Sequence, residues 1–430
     1  MTALAEAVPL RRGACPGLSA PMATGDGLLV RLQPIGTLPL AAFAALCTAA
    51  RRHGNGVIEI TSRGNIQIRG LSVESAPRFA ADIATLDIAA ADGVPVLCNP
   101  LAGLDPDERV EAAMLAGELR GALARRAIAA RLGAKTSIAI ESGGALDPAD
   151  VPADIRLSAT APGAETTFDI AVGGDSAGAT PLGVVARRHA IEAVIALLEV
   201  LTKFGRDGRA RDIVSAHGAA PFRAALADLV LSAGPGESDP GLNSWRRARQ
   251  RDVIGTHALR DGSLASGVGL AFGHSPAATL ESLVGAAADA DASGFRAAPG
   301  RALLAIGLPP SKLSTFTTAV EELGFVTRAG DPRGRVIACA GAPICGSAYI
   351  AARALAPSIA SRVEFTVHIS GCVKGCAQAK PAVLTVVGAA AGCALVANGT
   401  ARDAPFATVS VAELPAAIAA FAKAHEDNHV

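Results

Sequence analysis

Aromatic side chains are scarce in this sequence: 12 Phe, one Tyr and one Trp, or 3% of 430 residues. A cavity for a bulky planar ligand would therefore be walled mainly by aliphatic and alanine side chains. Net charge is also missing, since 39 Lys and Arg balance 39 Asp and Glu. That balance removes the electrostatic case for a nucleic-acid partner or a membrane surface. No stretch reaches a membrane-spanning length free of charge, and Glu6 stands where a secretory leader would be basic. The expectation is a soluble cytoplasmic protein. No Gly-x-Gly-x-x-Gly follows a strand pattern, so no Rossmann site for a nicotinamide is visible. What is abundant is small apolar content: half the residues are hydrophobic, enough for the cores of two or three domains.

The first 90 residues follow a definite order. "GLLVRL" (27–32) is a strand, "LPLAAFAALCTAARRH" (38–53) a helix, "GVIEI" (56–60) and "NIQIR" (65–69) strands, and "SVESAPRFAADIATL" (72–86) a helix. The order returns near residue 265, and a shift of about 237 lays helix on helix and Gly70-Leu71 on Gly307-Leu308. So long a period excludes a solenoid and indicates a duplicated unit with ferredoxin-like β-α-β-β-α blocks. Between them lies a mixed α/β stretch, with helices expected over 107–130 and 181–205 and a strand over 135–142. Residues 141–155 and 234–243 read as loops. The expected divisions are a ferredoxin-like half-domain (1–88), an α/β domain (89–260), a second half-domain (261–328) and a cysteine-bearing α/β domain (329–430). The fold class is α+β, or mixed α/β.

Four of the eight cysteines fall within 38 residues: Cys339 and Cys345 in "ACAGAPICGS", Cys372 and Cys376 in "HISGCVKGCA". In a reducing cytosol, paired cysteines point to metal or redox chemistry. C-x3-C fits structural zinc but C-x5-C does not, whereas iron–sulfur clusters accept more varied spacing. Gly341, Gly346, Gly371 and Gly375 would let backbone N–H groups approach the sulfurs. Ser347 is expected to cap a helix in "SAYIAARALA", placing Cys345 at its positive end. A four-iron cluster, zinc and chemically idle thiols all remain open on spacing. Cys47, Cys98 and Cys393 read as buried hydrophobes, and Cys15 is less clear.

C-x5-C followed by C-x3-C, after a duplicated ferredoxin-like block, resembles the sulfite and nitrite reductase superfamily. "EITSRGNIQIRG" (59–70) is similar to that family's Thr-x-Arg-x-x-x-Gln segment, in which Arg63 and Gln67 correspond to residues facing the tetrapyrrole. "FRAAPGRALL" (295–304) resembles the counterpart in the second repeat, and the likeness runs from about 13 to 400. Within the superfamily, "RRGACPGLSAPMATGDGLLVRL", "DPRGRVIACAGAPIC" and "HISGCVKGCA" look like the precorrin-3B synthase branch. Two anion-cage cations of the reductases are replaced: "DGVPVLC" (92–98) has no arginine, and "LGAKTS" keeps Lys135 but has Ser137 at the second lysine position. Gln378 stands where the synthase branch often has histidine.

The resemblance implies oxygen-dependent hydroxylation of precorrin-3A with lactone formation in aerobic cobalamin biosynthesis. It implies a [4Fe-4S] cluster on Cys339, Cys345, Cys372 and Cys376, and a mononuclear non-haem iron where the reductases hold siroheme iron. Electrons from NADH would arrive through a separate reductase. A substrate rich in carboxylates needs fixed cations, for which Arg63, Arg69 and Lys135 are candidates beside Gln67. The run Arg206, Arg209 and Arg211 reads as a solvated helix end. His257, His274 and His368 lack ligand spacing, so no iron ligand and no catalytic residue is assigned. Alternatives are a siroheme-dependent sulfite or nitrite reductase, and a protein that only carries electrons or binds tetrapyrroles.

Overall fold

In Leu40–His53 the buried residues Phe43, Leu46, Cys47 and Ala50 recur at helical spacing, and Arg51, Arg52 and His53 complement the negative end of the helix dipole. This face packs onto the apolar side of a sheet whose strands alternate. Ile66 and Ile68 point into the core from Ile66–Leu71, as do Ile58 and Ile60 from Val57–Ile60. Gln67, Arg69 and Glu59 are left on the opposite side. The computed structural model describes residues 16–160, 166–232, 251–378 and 380–427. It comprises two compact units: one contains 89–252 and 258–263, the other 16–88, 253–257 and 264 onward.

The second unit carries the duplication. One five-stranded antiparallel sheet runs Met22–Thr24, Gly27–Leu32, Ile66–Leu71, Val57–Ile60, His274–Pro276. Its partner runs Gly255–Ala258, Leu264–Gly269, Ala302–Leu308, Gly294–Ala298, Leu38–Pro39. Each repeat thus lends the other its last edge strand: His274–Pro276 pairs with Val57–Ile60, and Leu38–Pro39 pairs with Gly294–Ala298. The two lent strands directly precede equivalent helices, Leu40–His53 and Ala277–Asp289. One apolar core includes Phe43, Ile68 and Phe79 from the first repeat and Leu283, Phe295 and Phe316 from the second.

A third sheet of this unit runs Val336–Ala338, Val367–Ser370, Ala382–Ala389, Gly392–Gly399, Ala407–Val409. The first three strands are parallel and the rest antiparallel. In the other unit the sheet repeats that plan: Val96–Leu97, Ile138–Glu141 and Ala153–Ala159 are parallel, and Thr167–Gly174, Thr180–Ala186 and Val230–Ser232 follow antiparallel. The likeness between repeats therefore extends beyond the ferredoxin-like blocks.

Several expected elements change. The helix expected over 107–130 begins at Ala112 and ends at Arg126, because Ala127 turns left-handed (φ 49°) and a 3-10 turn, Ile128–Arg131, follows. In the 181–205 stretch, Thr180–Ala186 is a strand, Arg187–His189 a 3-10 turn, and the α-helix is confined to Ala190–Lys203. The pair Val184 and Val185, after Gly183 at φ 147°, favours the strand. The loop expected over 141–155 gives way to strand at Ala153. Residues 234–243 and Cys15 lie outside the described residues.

Candidate functional site

Val336–Ala338 and Val367–Ser370 are parallel neighbours joined through the helix Ala352–Ala360. Cys339 directly follows the first strand, and Gly371-Cys372 the second. Both cysteine turns thus leave the carboxyl ends of parallel strands, where α/β sheets commonly build ligand sites. The Cys339 Sγ accepts the Gly371 N–H at 3.0 Å. Burial raises the Cys339 pKa, the N–H groups of Gly371 and Gly341 pull it down, and Cys345 and Cys376 are near enough to raise it again. Glycine is required at two of these places. A Cβ on Gly371 would stand 2.6 Å from the Ala348 Cβ, and Gly341 has φ 67° with the Ala352 N–H against it.

Ser347 does not cap a helix, which corrects the expected placement of Cys345. The helix begins at Ala352, and the residues before it bond elsewhere: Tyr349 N–H to Gly371 O (2.8 Å) and Ala342 N–H to Ile350 O (2.8 Å). The Ser347 hydroxyl accepts from Lys374 Nζ at 2.8 Å, tying the first cysteine turn to the second. Thiols on two tied turns, with a backbone N–H already donating to sulfur, are a donor set that fits a four-iron cluster. Among the described residues, no three or more His, Cys, Asp and Glu side chains are gathered to hold a single metal ion.

On the first ferredoxin-like sheet, the polar face carries Arg31, Gln67, Glu59 and His274 in one cross-strand line. Gln67 accepts from Arg31 Nη2 at 2.8 Å and donates to Glu59 in a short contact. Glu59 also receives Arg353 from the helix Ala352–Ala360 in a short ion pair. Arg69, whose side chain is 7% exposed, lies 3.4 Å from Asp26 and 3.7 Å from Glu59. Burial and then the nearby Arg353 lower the His274 pKa, against the Phe272 carbonyl and Glu59. Gln67 and Arg69 are thus members of a buried ionic lattice. Arg63 is placed differently, half-buried on a turn braced by Thr61 Oγ1, which accepts the Asn65 N–H at 3.0 Å. That turn bridges Pro299 in the second repeat, and Gly300 N–H reaches Ser62 O at 3.2 Å.

In the other unit, Lys135 is exposed on the turn before Ile138–Glu141, while Ser137 is fully buried. Arg209 is no solvated helix end: it grips Asp154 through two bonds of 2.9 Å, whereas Arg206 and Arg211 are exposed. Cys47 and Cys393 are buried, and burial pushes the Cys47 thiol up to about 12, with Glu281 adding to it. Sequence reasoning missed Glu59, Arg31, Arg353 and Asp26. The available signal was charge at the polar alternation of strands otherwise rich in isoleucine.

Residues 20–86 match the family described as the nitrite/sulfite reductase ferredoxin-like half domain. A precorrin-3B synthase from Sinorhizobium sp. is 39% identical over 405 residues, covering 93% of this chain and 85% of its own. The chain belongs to the precorrin-3B synthase family. The chain is also similar, more distantly, to reductases. A ferredoxin–nitrite reductase of Synechococcus elongatus is 27% identical over 85% of this chain and 77% of its own. A sulfite reductase [ferredoxin] of Mycolicibacterium paratuberculosis is 24% identical over 82% and 68%. The solved NirA protein of Mycobacterium tuberculosis superposes with a TM-score of 0.72 at 20% identity, covering 91% of this chain and 79% of that one. That likeness establishes the fold: a duplicated, sulfite/nitrite reductase-like architecture of mixed α/β content. No helix among the described residues is long and apolar enough to cross a membrane.

Proposed function

We propose that this chain is the oxidoreductase that hydroxylates precorrin-3A with dioxygen and closes a lactone in aerobic cobalamin biosynthesis. The observation that carries this reading is the 39% identity to a precorrin-3B synthase over 93% of the chain. The replaced cage supports it against a reductase: Ser137 is buried, and 92–98 holds no arginine, so two of the cations suited to a small oxyanion are absent.

Cys339, Cys345, Cys372 and Cys376 would hold a [4Fe-4S] cluster, which supplies electrons one at a time. The Gly371 N–H would steady the Cys339 thiolate, and Lys374 with Ser347 would keep the two cysteine turns in register. Arg63 would pair with a substrate carboxylate, its turn held from the second repeat by Pro299. Gln67 and Arg69 would act behind it, holding Glu59 and the strand pair rigid; the exposed Lys135 stays a candidate cation for a substrate carboxylate. A separate reductase drawing on NADH would deliver electrons, and siroheme would be needed only if the chain were a reductase.

The test is turnover of precorrin-3A under labelled dioxygen and a reductant. One labelled oxygen atom should appear in the product, and the purified protein should be brown without siroheme bands. Anaerobic turnover of sulfite or nitrite with stoichiometric siroheme would overturn the assignment.

A further inference from the structure

His368 occupies the central parallel strand of the cysteine-bearing sheet, between Ile337 and Thr385 in register. Its neighbours Val367 and Ile369 fill the core on one face, so His368 points to the other. There the second cysteine turn folds back over it. A Cβ on Gly375 would meet the Ala401 Cβ at 3.2 Å and the His368 Cε1 at 3.9 Å. The ring edge that carries Cε1, the carbon between the two nitrogens, thus faces Gly375 in the turn that joins Cys372 to Cys376. The residue is 0% exposed, yet neither Nδ1 nor Nε2 has a hydrogen-bond partner among the described residues. The Thr385 hydroxyl on the same face is already committed to Gly399 O at 2.7 Å. A buried imidazole without any partner is costly, and such a group calls for an acceptor beyond the protein's own atoms.

We propose that the His368 imidazole donates an N–H to a sulfur of an iron–sulfur cluster seated on the four cysteines and so raises its reduction potential. This rests on the reading of those cysteines as cluster ligands. A reduced cluster carries one more negative charge than the oxidised one, and a hydrogen bond to sulfur stabilises the more negative form. Arg301 supports the arrangement. It comes from the second repeat, donates to Ala377 O at 2.5 Å just past Cys376, and is packed against Gly273. Burial first, and then this guanidinium, hold the His368 pKa down to about 4. In either protonation state the imidazole carries an N–H, so it can donate to a sulfur.

The experiment uses the holoprotein, with iron and acid-labile sulfide measured, in a potentiometric titration followed by electron spin resonance. His368→Leu removes the donor and should lower the midpoint by the equivalent of a tenfold change in the reduction equilibrium, about 59 mV for one electron. His368→Gln, which keeps an N–H, should retain most of the wild-type potential. Where His368→Leu assembles no cluster, wild-type protein labelled with 15N-histidine decides. Its reduced cluster should show a nitrogen hyperfine coupling that His368→Gln lacks. A wild-type potential in a fully loaded His368→Leu, or no histidine coupling to an intact cluster, overturns the proposal and leaves the ligand assignment standing. Protein that builds no cluster in any form overturns both.

Discussion

Gln67 spends both ends of its amide inside the protein, on Glu59 and Arg31, whereas Arg63 stands half-buried at the turn between the two strands. The expected consequence is a split. Arg63→Ala should weaken precorrin-3A binding by about 1.5–3 kcal/mol, or about one to two decades, through loss of a charge-assisted contact. Cluster content should not change, because Arg63 shares no segment with the cysteines; a fluorescence-quenching titration beside an iron assay checks both. Undiminished affinity would return the whole strand pair to scaffold. The cysteines divide in the same way. Cys345→Ser should cost the cluster chromophore and sulfide, while Cys393→Ser, at a buried site whose thiol pKa burial raises, should keep both. The reverse result would sink the ligand assignment. These residues were legible because their types are rare and their spacing is short. Glu59 and Arg353 were not, since their ion pair joins positions 294 apart and neither local sequence announces the other.

At the scale of elements, helices and strands with one clean apolar period were legible, and those with competing local signals were not. "GLLVRL" is the strand Gly27–Leu32, residue for residue. The expected Ser347 cap failed because the backbone of 342–350 is committed to bonds with Gly371 and within the first cysteine turn, which outweigh one side-chain cap. The short strands Leu38–Pro39 and Ser275-Pro276 read as helix starts, and each instead closes the sheet of the opposite repeat. Gly294 lets Leu38–Pro39 come so close: a Cβ there would run into the Leu38 carbonyl. Gly294→Val should therefore destabilise the second unit by about 1–3 kcal/mol, as overpacking does. A lower denaturant midpoint with an unaltered m-value would show it, and an unchanged midpoint would mean the exchanged strand is dispensable.

For the whole molecule, the exchanged strands and the shared core make the two ferredoxin-like repeats one folding entity. A fragment of residues 16–88 would lose the edge strand His274–Pro276 and the apolar face of Ala277–Asp289, which packs beside Phe43 and Leu46. It should lack a cooperative thermal transition and dispersed amide resonances, and regain them with the second repeat supplied; a fragment that folds alone would contradict this. By itself the sequence determined the duplication, since Pro39 and Pro276, like Gly70 and Gly307, lie 237 positions apart and turn chemistry leaves residue-level marks. It also determined the two cysteine pairs, because sulfur ligation restricts residue type and spacing together. Only the tertiary structure decided that Gln67 and Arg69 belong to a buried lattice, that Arg209 grips Asp154, and that His368 lies unpartnered beneath the second cysteine turn. Such pairings depend on which faces meet after the chain has folded. Burial and charge compensation act through space, and a periodicity read along the chain carries no record of them.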